Sequence, residues 1–337
     1  MMREKFSIGN LVYELTEACN QNCRFCYNHW RPEGCRPVDG RLARKTLNRL
    51  LRQADPGVVS FSGGEPALLG NLHDLALKCR FRGASVNVLT NGTLLTEDDI
   101  VNLGSIGING LQIPLLDAGQ DIHDYLTGTA GSWEKACRAI RTAVRVLGAD
   151  HFAAVLILTA KNVAGISGTL ELYRELGVRT VLVNRFNPGG NGLKNRGELC
   201  LSREALGAAF RLVSDFSLRN PEMEFVSGVC TPVCVLEPSA FPGVRFTACS
   251  TEFRNRPVTV TYRGEVRFCN HSPFVLGNIW ARDLKDILED ESIAARYSGI
   301  PEQCAGCGLF ARCRGGCRAA AEQVYGSFDR RDPVAEL

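Results

Sequence analysis

Six short apolar runs separated by amphipathic stretches constrain the fold of this 337-residue chain more than any other feature. Between the runs lie helical patterns such as residues 42–53, 72–79, 133–147 and 164–176, and the last is followed by Gly177, a common helix terminator. The alternation predicts βα units with parallel strands and right-handed crossovers. The predicted strands are residues 11–15, 58–62, 85–90, 110–115, 152–158 and 180–184.

Polar and glycine-rich motifs follow the predicted strands, whereas the strand interiors stay apolar. The active site of a βα barrel lies at the carboxyl ends of its strands, so we expect these motifs at one mouth. In strand order they are residues 19–26, residues 63–66, residues 90–93, Asp117 with His123 and Asp124, residues 159–162 and residues 185–190.

The first of these motifs is a cysteine triplet. Cys19, Cys23 and Cys26 form a CxxxCxxC pattern directly after the first apolar run. Three thiolates on one loop can hold three corners of a four-iron cluster and leave the fourth iron open to a small ligand. Zinc is the alternative, but zinc pairs usually come as CxxC with a distant second pair. The spacing therefore favours a cluster.

The triplet resembles the cluster loop of radical S-adenosylmethionine (SAM) enzymes, because an aromatic residue precedes its last cysteine and Gly-Gly-Glu-Pro follows one strand–helix unit later. The resemblance implies that Cys19, Cys23 and Cys26 hold a SAM-binding 4Fe-4S cluster. One electron from this cluster would cleave SAM to a 5′-deoxyadenosyl radical, which abstracts hydrogen. It also implies a partial (β/α)6 TIM-type barrel, six-stranded and open.

The same resemblance assigns SAM contacts. Asp117 stands in Leu115-Leu116-Asp117-Ala118, where relatives carry Ser-Leu-Asp-Gly, and is a candidate substitute for the serine. Arg185 is expected at the SAM carboxylate because a guanidinium pairs with it bidentately. For Asn91, Asn162 and Arg185 a turn or surface role is the alternative. The full expected set is Phe25 or Tyr27 near the adenine, Gly63, Gly64, Glu65 and Pro66 at the methionine amine, and Asn91, Asp117, Asn162 and Arg185 as polar contacts.

His123 and Asp124 match a recurring His-Asp pair of radical SAM relatives. Aspartate is a favourable residue at a helix start, where its carboxylate accepts bonds from backbone N–H groups. We therefore expect a helix-start role for this pair rather than catalysis.

A second set of cysteines resembles the SPASM extension of radical SAM enzymes, which carries two auxiliary 4Fe-4S clusters. The resemblance assigns Cys249, Cys269 and Cys317 to the first cluster, with Cys234 as the expected fourth ligand and Cys230 as the competing candidate. It assigns Cys304, Cys307 and Cys313 to the second cluster.

The last cysteine of the SPASM pattern is missing. Relatives supply it after the CxxxC pair, whereas residues 332–335 contain none. The fourth position of the second cluster is therefore open to Asp332, Asp329, water or substrate, or the cluster is absent. Zinc on Cys304, Cys307 and Cys313 is a further alternative. The remaining cysteines are expected to be buried or incidental, namely Cys35, Cys79, Cys137 and Cys200.

These patterns divide the chain into three parts. Residues 1–200 form the predicted barrel, residues 201–229 a bridge with a helix over 202–218 capped by Ser202, and residues 230–337 a smaller cysteine-rich domain of SPASM type. In this last part the βα alternation ends, and β-like runs at 257–262 and 265–268 flank Arg263-Gly264.

The composition bounds partners and compartment. A formal charge of +3 is too small to indicate nucleic acid or a membrane surface as partner. No apolar segment approaches the roughly 20 residues of a membrane span, and a signal peptide pattern is missing; a cytoplasmic protein is expected. Arg312, Arg314 and Arg318 suggest either a solvated face or a docking patch for an acidic electron donor such as flavodoxin or ferredoxin.

Radical SAM enzymes with this extension mostly modify peptides or proteins, so we expect a peptide or protein substrate and a role in maturing a ribosomal peptide. Sulfatase maturation is disfavoured because Asn270 follows Cys269 where those relatives have a proposed aspartate base. A leader-binding domain is not expected within the 18 residues before Cys19. The alternatives are a small substrate of tetrapyrrole or aminocyclitol type, and a non-catalytic iron–sulfur or zinc protein.

Overall fold

The computed structural model describes residues 6–31, 37–249 and 256–336. Its strands are β1 (Phe6–Glu14), β2 (Ala54–Ser62), β3 (Ser85–Leu89), β4 (Gly110–Pro114), β5 (Phe152–Leu158), β6 (Thr180–Arg185), β7 (Glu224–Ser227), β8 (Arg245–Phe246), β9 (Val258–Thr261), β10 (Glu265–Arg267) and β11 (Val275–Asn278). They form one sheet in the order β11-β10-β9-β1-β2-β3-β4-β5-β6-β7-β8.

The helices of the first 219 residues lie between and after the barrel strands. They are α1 (Gly40–Gln53), α2 (Leu72–Arg80), α3 (Glu97–Ile106), α4 (Gln120–Thr127), α5 (Ser132–Leu147), α6 (Ile166–Glu175), α7 (Gly190–Lys194), α8 (Arg196–Leu199) and α9 (Arg203–Arg219). The cysteine-rich part contributes α10 (Leu284–Leu288), α11 (Glu291–Ser298), α12 (Phe310–Cys313) and α13 (Arg318–Tyr325).

The first six strands are parallel neighbours in chain order. In the described sheet β1 is bordered by β9 and β6 by β7, so the barrel is not closed between β1 and β6. Alternate residues of β5 are buried, as expected for a strand with one face on the barrel core. The prediction of an α/β fold with a partial, open six-stranded barrel is confirmed.

The predicted strands all coincide with observed ones, but the first two begin earlier than expected. β1 starts at Phe6 and β2 at Ala54, and the added residues pair with each other. Gly9, Pro56 and Gly57 interrupt the apolar pattern in these segments. An ideal Cβ at Gly57 would lie 3.1 Å from the Gly9 oxygen, so the two backbones approach closely where side chains are missing.

The cysteine-rich part continues the barrel sheet. β9 pairs in parallel with β1, and β10 returns antiparallel to β9 after the turn at Arg263-Gly264. The β-like runs predicted here are thus confirmed as a hairpin. The bridging helix is also confirmed as α9, whose first turn is capped by the Ser202 side chain accepting from the Ala205 N–H at 3.2 Å.

Candidate functional site

The cysteine triplet lies on the loop that leaves the carboxyl end of β1. Cys19, Cys23 and Cys26 are each half-buried. The pKa of the Cys23 thiol is raised well above its ordinary value, first by burial and then by the neighbouring Cys26 and Cys19 thiols. The three sulfur atoms are therefore close enough to repel one another as thiolates, and binding a cationic iron cluster would relieve that repulsion.

The Gly-Gly-Glu-Pro loop is hydrogen-bonded to the backbone just before the first cysteine. The Gly64 N–H donates to the Thr16 oxygen at 2.7 Å, and the Glu65 N–H donates to the Ala18 oxygen at 2.8 Å. An ideal Cβ at Gly64 would lie 1.9 Å from the Ala18 oxygen. The glycine is thus required for this loop to contact the cysteine loop, a reason that the sequence did not reveal.

Glu65 joins the ends of two strands. Its buried carboxylate accepts hydrogen bonds from the Ala67 N–H at 2.9 Å, the Thr90 hydroxyl at 2.5 Å and the Asn91 N–H at 2.7 Å. Burial raises the pKa of this carboxyl. Most of its acceptor capacity is used inside the protein, so Glu65 holds the loop after β2 against the loop after β3.

The turn after β3 also contacts the cysteine loop. The Asn91 amide donates to the Asn20 side-chain oxygen at 2.8 Å, and the Asn20 amide donates to the Thr93 hydroxyl at 2.8 Å. Asn20 lies in the first gap of the triplet, and nothing in the sequence singled it out. Three of the predicted motifs therefore meet at one mouth, at the carboxyl ends of β1, β2 and β3.

Asn162 is committed to contacts within the protein. It is buried, and its amide donates to the oxygens of Leu116 at 2.7 Å and Ile157 at 2.9 Å. Its side-chain oxygen accepts from the N–H and hydroxyl of Thr159. Its hydrogen-bonding groups hold the turn after β5 and join that turn to Leu116 after β4, which fits the turn role that was the alternative to a SAM contact.

Arg185 is likewise committed to the protein. Its Nη2 donates to the Cys230 oxygen at 2.9 Å and to the Asp332 carboxylate, and its Nε donates to the Thr231 hydroxyl at 3.2 Å. Its Nη1 donates to Asn187 and to the Phe186 oxygen. All five guanidinium N–H groups are used. Arg185 therefore connects the barrel with the cysteine-rich part and is not available for a SAM carboxylate.

Asp117, the candidate replacement for the missing serine, is buried at the end of β4. Its Oδ1 accepts from the Gly119 N–H at 2.7 Å, and its Oδ2 lies 2.7 Å from where a Cβ of Gly165 would stand. Burial raises the pKa of this carboxyl. The side chain thus packs against the segment leading into α6.

The expected helix-start role is confirmed for Asp124. Its carboxylate accepts from the Gly131 N–H at 2.6 Å, the Ser132 hydroxyl at 2.8 Å and the Trp133 N–H at 2.9 Å, all at the beginning of α5. His123 lies within α4, and its Nδ1 accepts from the Leu116 N–H at 3.1 Å. Burial lowers the pKa of His123 to about 4, so this ring is neutral and structural.

Tyr27 links the cysteine loop with the cysteine-rich part. Its hydroxyl accepts from the Asn270 amide at 2.5 Å, its ring lies 4.9 Å from that of His271, and its backbone oxygen accepts from Gln323 at 2.9 Å. Phe25 packs in a small apolar cluster with buried Phe186. The sequence did not identify His271 or Gln323, because their partner is more than 240 residues away along the chain.

The cysteine-rich part brings its thiols together in two groups, which differ from the expected ones. The pKa of the Cys230 thiol is raised well above its ordinary value, first by the neighbouring thiols of Cys249 and Cys317 and then by burial. Burial raises the pKa of Cys269 to about 11, and the same two thiols, Cys317 and Cys249, raise it further. Cys230, not Cys234, therefore lies with the first set.

The second group surrounds Cys304. The pKa of the Cys304 thiol is raised first by burial and then by the thiols of Cys313, Cys307 and Cys234. The exposed Cys234 was expected in the first set but lies with this one. Asp332, a candidate ligand here, is buried and bonded to Arg185, the Cys317 N–H and the Val334 N–H.

Within the described ranges, no three His, Cys, Asp or Glu side chains converge as ligands of a single metal ion. Zinc requires such convergence on one point. Cysteines that hold an iron–sulfur cluster bind different iron atoms and need not converge. An all-thiolate donor set is the one that iron–sulfur clusters use, so the residues of the triplet and of the set Cys304, Cys307 and Cys313 fit such a cluster.

The other predicted features have mixed outcomes. Cys79 and Cys137 are buried in the core as expected, Cys200 is half-buried beside a cavity of about 180 Å³, and Cys35 lies outside the described residues.

Arg318 is buried and donates to the Phe328 and Gly299 oxygens, so the three arginines Arg312, Arg314 and Arg318 do not form a single exposed patch. In the described part of the chain, no helix is long and apolar enough to span a membrane.

Comparison with known proteins identifies both parts of the chain. Residues 13–159 match the model of the radical SAM superfamily, and residues 249–308 match SPASM, an iron–sulfur cluster-binding domain. The PqqA peptide cyclase of Gluconobacter oxydans (strain 621H) is 29% identical over 338 residues, which cover 97% of this chain and 90% of the relative. That of Xanthomonas campestris pv. campestris (strain 8004) is 28% identical over 337 residues, which cover 97% and 86%.

Two solved structures share the fold. Streptococcus suis SuiB bound to S-adenosylmethionine has a TM-score of 0.75 at 18% identity, covering 99% of this chain and 78% of SuiB. Native anSMEcpe with bound AdoMet has a TM-score of 0.73 at 18% identity, covering 98% of this chain and 94% of that one. With the two family matches and the meeting of the triplet with the Gly-Gly-Glu-Pro loop, the chain belongs to the radical SAM superfamily and carries a C-terminal SPASM iron–sulfur domain.

Proposed function

We propose that this protein is a peptide maturase: it cleaves SAM reductively and abstracts a hydrogen atom from a peptide or protein substrate, in the modification of a ribosomal peptide. Cys19, Cys23 and Cys26 would hold the cluster, which would supply the electron for that cleavage. A flavodoxin or ferredoxin is the proposed electron donor. The rest of the site binds and orients SAM and the substrate.

The observation that carries the proposal is the meeting of three loops at the carboxyl ends of β1, β2 and β3. The Gly64 and Glu65 N–H groups bond the backbone next to Cys19, and Asn91 bonds Asn20 within the triplet. A ligand on the open iron would therefore lie beside these loops. We retain Gly63 to Pro66, Asn91, Phe25, Tyr27 and Asp117 as proposed cofactor neighbours, without Asn162 and Arg185.

Contact between the two parts of the chain supports a joint role for them. Tyr27 directly follows the last cysteine of the triplet, and its hydroxyl accepts from Asn270, which directly follows Cys269. The cysteine triplet and the first auxiliary thiol group are thus separated by one side-chain hydrogen bond and its flanking residues. This arrangement suits a cluster that moves electrons or binds substrate next to the radical.

A peptide substrate is supported by the relatives. The curated relatives named PqqA peptide cyclase are matched over 97% of this chain. A further SuiB structure, bound to its precursor peptide SuiA, has a TM-score of 0.76 at 16% identity and covers 99% of this chain. The similarity to the PqqA peptide cyclases and to SuiB extends through the barrel and the SPASM domain.

SAM cleavage tests the radical chemistry. Anaerobically prepared protein, reduced with dithionite and supplied with SAM, is expected to release 5′-deoxyadenosine. Cys23→Ala is expected to abolish this release, whereas Cys200→Ala, also half-buried but outside the triplet, is expected to leave it unchanged. Release that survives Cys23→Ala, or no release by the wild-type protein with full iron content, would refute the proposal.

Deuterium transfer tests the substrate class. Cells that carry the protein are grown in deuterated medium, and a fraction of low molecular mass from their extract is given to the enzyme. The fraction is used either untreated or after digestion with a protease. A peptide substrate is expected to place deuterium in 5′-deoxyadenosine only when the fraction is undigested. Transfer that survives digestion would favour a small molecule.

A further inference from the structure

Two cysteines only four residues apart, Cys230 and Cys234, lie with different thiol groups. Cys230 is buried, and its backbone oxygen accepts from Arg185, whose partner Asp332 accepts from the Cys317 N–H. Cys234 is exposed, and its thiol is among those that raise the pKa of Cys304. The short segment 230–234 therefore reaches both thiol groups of the SPASM domain.

Packing explains how one segment reaches both groups. An ideal Cβ at Gly316 would lie 2.6 Å from the Pro232 side chain, so the middle of the segment contacts the glycine pair between Cys313 and Cys317. Gly315, with a positive φ of 82°, lies 3.6 Å from the Cys304 sulfur by the same measure. The middle of the segment thus packs on a glycine pair that lies against Cys304 on one side and directly precedes Cys317 on the other.

Contacts at both ends of the segment fix this placement. The Arg185 guanidinium donates to the Cys230 oxygen at 2.9 Å and to the Thr231 hydroxyl at 3.2 Å, which holds the first end. Beyond the second end, Glu237 pairs with Arg312 at 3.0 Å, next to Cys313. The segment therefore runs alongside residues 312–317.

The two carboxylates that are candidates to complete the second group, Asp332 and Asp329, are engaged elsewhere. Asp332 is fully buried between Arg185 and the N–H groups of Cys317 and Val334. Asp329 lies 3.6 Å from Arg318, and its side chain is 70% exposed. Both carboxylates thus already have an arginine partner.

We propose that Cys234 is the fourth ligand of the second auxiliary cluster, with Cys304, Cys307 and Cys313, and that Cys230 completes the first cluster with Cys249, Cys269 and Cys317. The proposal rests on the proposed function in one respect, that both groups hold iron–sulfur clusters. Cys234 then takes the place of the cysteine missing after residue 317. Each cluster has four thiolates, and the segment 230–234 connects the two.

Thiol protection, read by mass spectrometry after iodoacetamide treatment, tests each ligand separately. In anaerobic wild-type protein, Cys230 and Cys234 are expected to react at least about tenfold more slowly than after removal of iron with a chelator, because a coordinated thiolate is not free to attack. In the variant C304A/C307A/C313A only Cys234 is expected to become reactive. In C249A/C269A/C317A only Cys230 is expected to do so.

Other results overturn the assignment. Cys234 reacting in wild-type protein at its iron-free rate would show that it is not a ligand. Release of Cys234 by the C249A/C269A/C317A variant would place it in the first cluster instead, and zinc in place of iron would refute the cluster. Cys200, outside both groups, is the internal control for reactivity, and continued protection of Cys19, Cys23 and Cys26 shows that each variant is folded.

The assignment and the proposed function fail in different ways. Thiol protection needs neither SAM nor a reductant, so wild-type protein that releases no 5′-deoxyadenosine but shows the expected pattern would refute only the radical chemistry. Normal SAM cleavage with an unprotected Cys234 would refute only the ligand assignment.

Discussion

Arg185 and Asp332 form an ion pair hidden from solvent, with side chains 1% and 0% exposed. Arg185 ends β6 of the barrel, and Asp332 lies in the last segment of the SPASM domain. The same carboxylate accepts from the N–H of Cys317, a proposed cluster ligand, at 2.7 Å. The pair therefore sets the position of a cluster-binding loop relative to the barrel.

Removing one member of this pair should destabilise the protein strongly. Arg185→Met leaves the Asp332 carboxylate buried without its cation, and we expect the free energy of unfolding to fall by about 3–5 kcal/mol. The double variant R185M/D332N should lose less than the sum of the single variants, because no charge is left unpaired. Anaerobic urea unfolding measures the free energy of unfolding of the single variants and of the double variant.

The exposed pair Arg245–Glu224, with side chains 61% and 53% exposed, is the matched control. Arg245→Met should cost less than about 1 kcal/mol because solvent screens the pair. If Arg185→Met were equally mild, the buried pair would not be a structural link.

Gly64→Ala should disrupt the triplet while sparing the SPASM thiols. The added methyl would lie 1.9 Å from the Ala18 oxygen, which is backbone and cannot move without displacing the cysteine loop. We expect loss of about four irons per chain and of SAM cleavage. Gly70→Ala, where nothing lies within 4 Å of the new atom, is the control and should keep both. Full iron content in Gly64→Ala would contradict the proposed loop contact.

Asp124→Ala should weaken the start of α5. Three donors, the Gly131 and Trp133 N–H groups and the Ser132 hydroxyl, lose their common acceptor. We expect a loss of about 1–2 kcal/mol in thermal or urea unfolding, with little change in SAM cleavage per folded molecule. Asp215→Ala, on an exposed position of α9, should stay within about 0.5 kcal/mol. A loss of SAM cleavage without a loss of stability would instead indicate a catalytic role.

The sequence predicted what depends on local pattern. Buried strands have a short apolar period, and parallel strands place their following loops on one edge, so the positions of β3 to β6 and the meeting of residues 19–26 with 63–66 followed from spacing. The triplet is similarly local, because all three thiols lie within eight residues.

What the sequence did not predict depends on partners far apart along the chain. Arg185 was a plausible ligand contact, but three of its partners are residues 230, 231 and 332. One partner of Asn162 is Leu116, 46 residues away. Cys230 and Cys234 are equivalent by spacing. Their separate placement depends on contacts with residues far along the chain, such as that of Pro232 with Gly316.

His123 should make stability depend on pH. Burial lowers its pKa to about 4 in the folded protein, whereas an unfolded histidine titrates at about 6.5. Below pH 6.5 the unfolded chain therefore binds a proton that the folded chain does not, and the free energy of unfolding falls as the pH falls toward 4. The decrease from this residue is about 1.6 kcal/mol between pH 6.5 and 5. In thermal unfolding at about pH 7, 6 and 5, the His123→Gln variant should lack this decrease in the free energy of unfolding. The His151→Gln variant, at an exposed histidine, should keep it. Identical pH dependence in the two variants would show that another group causes the acid sensitivity.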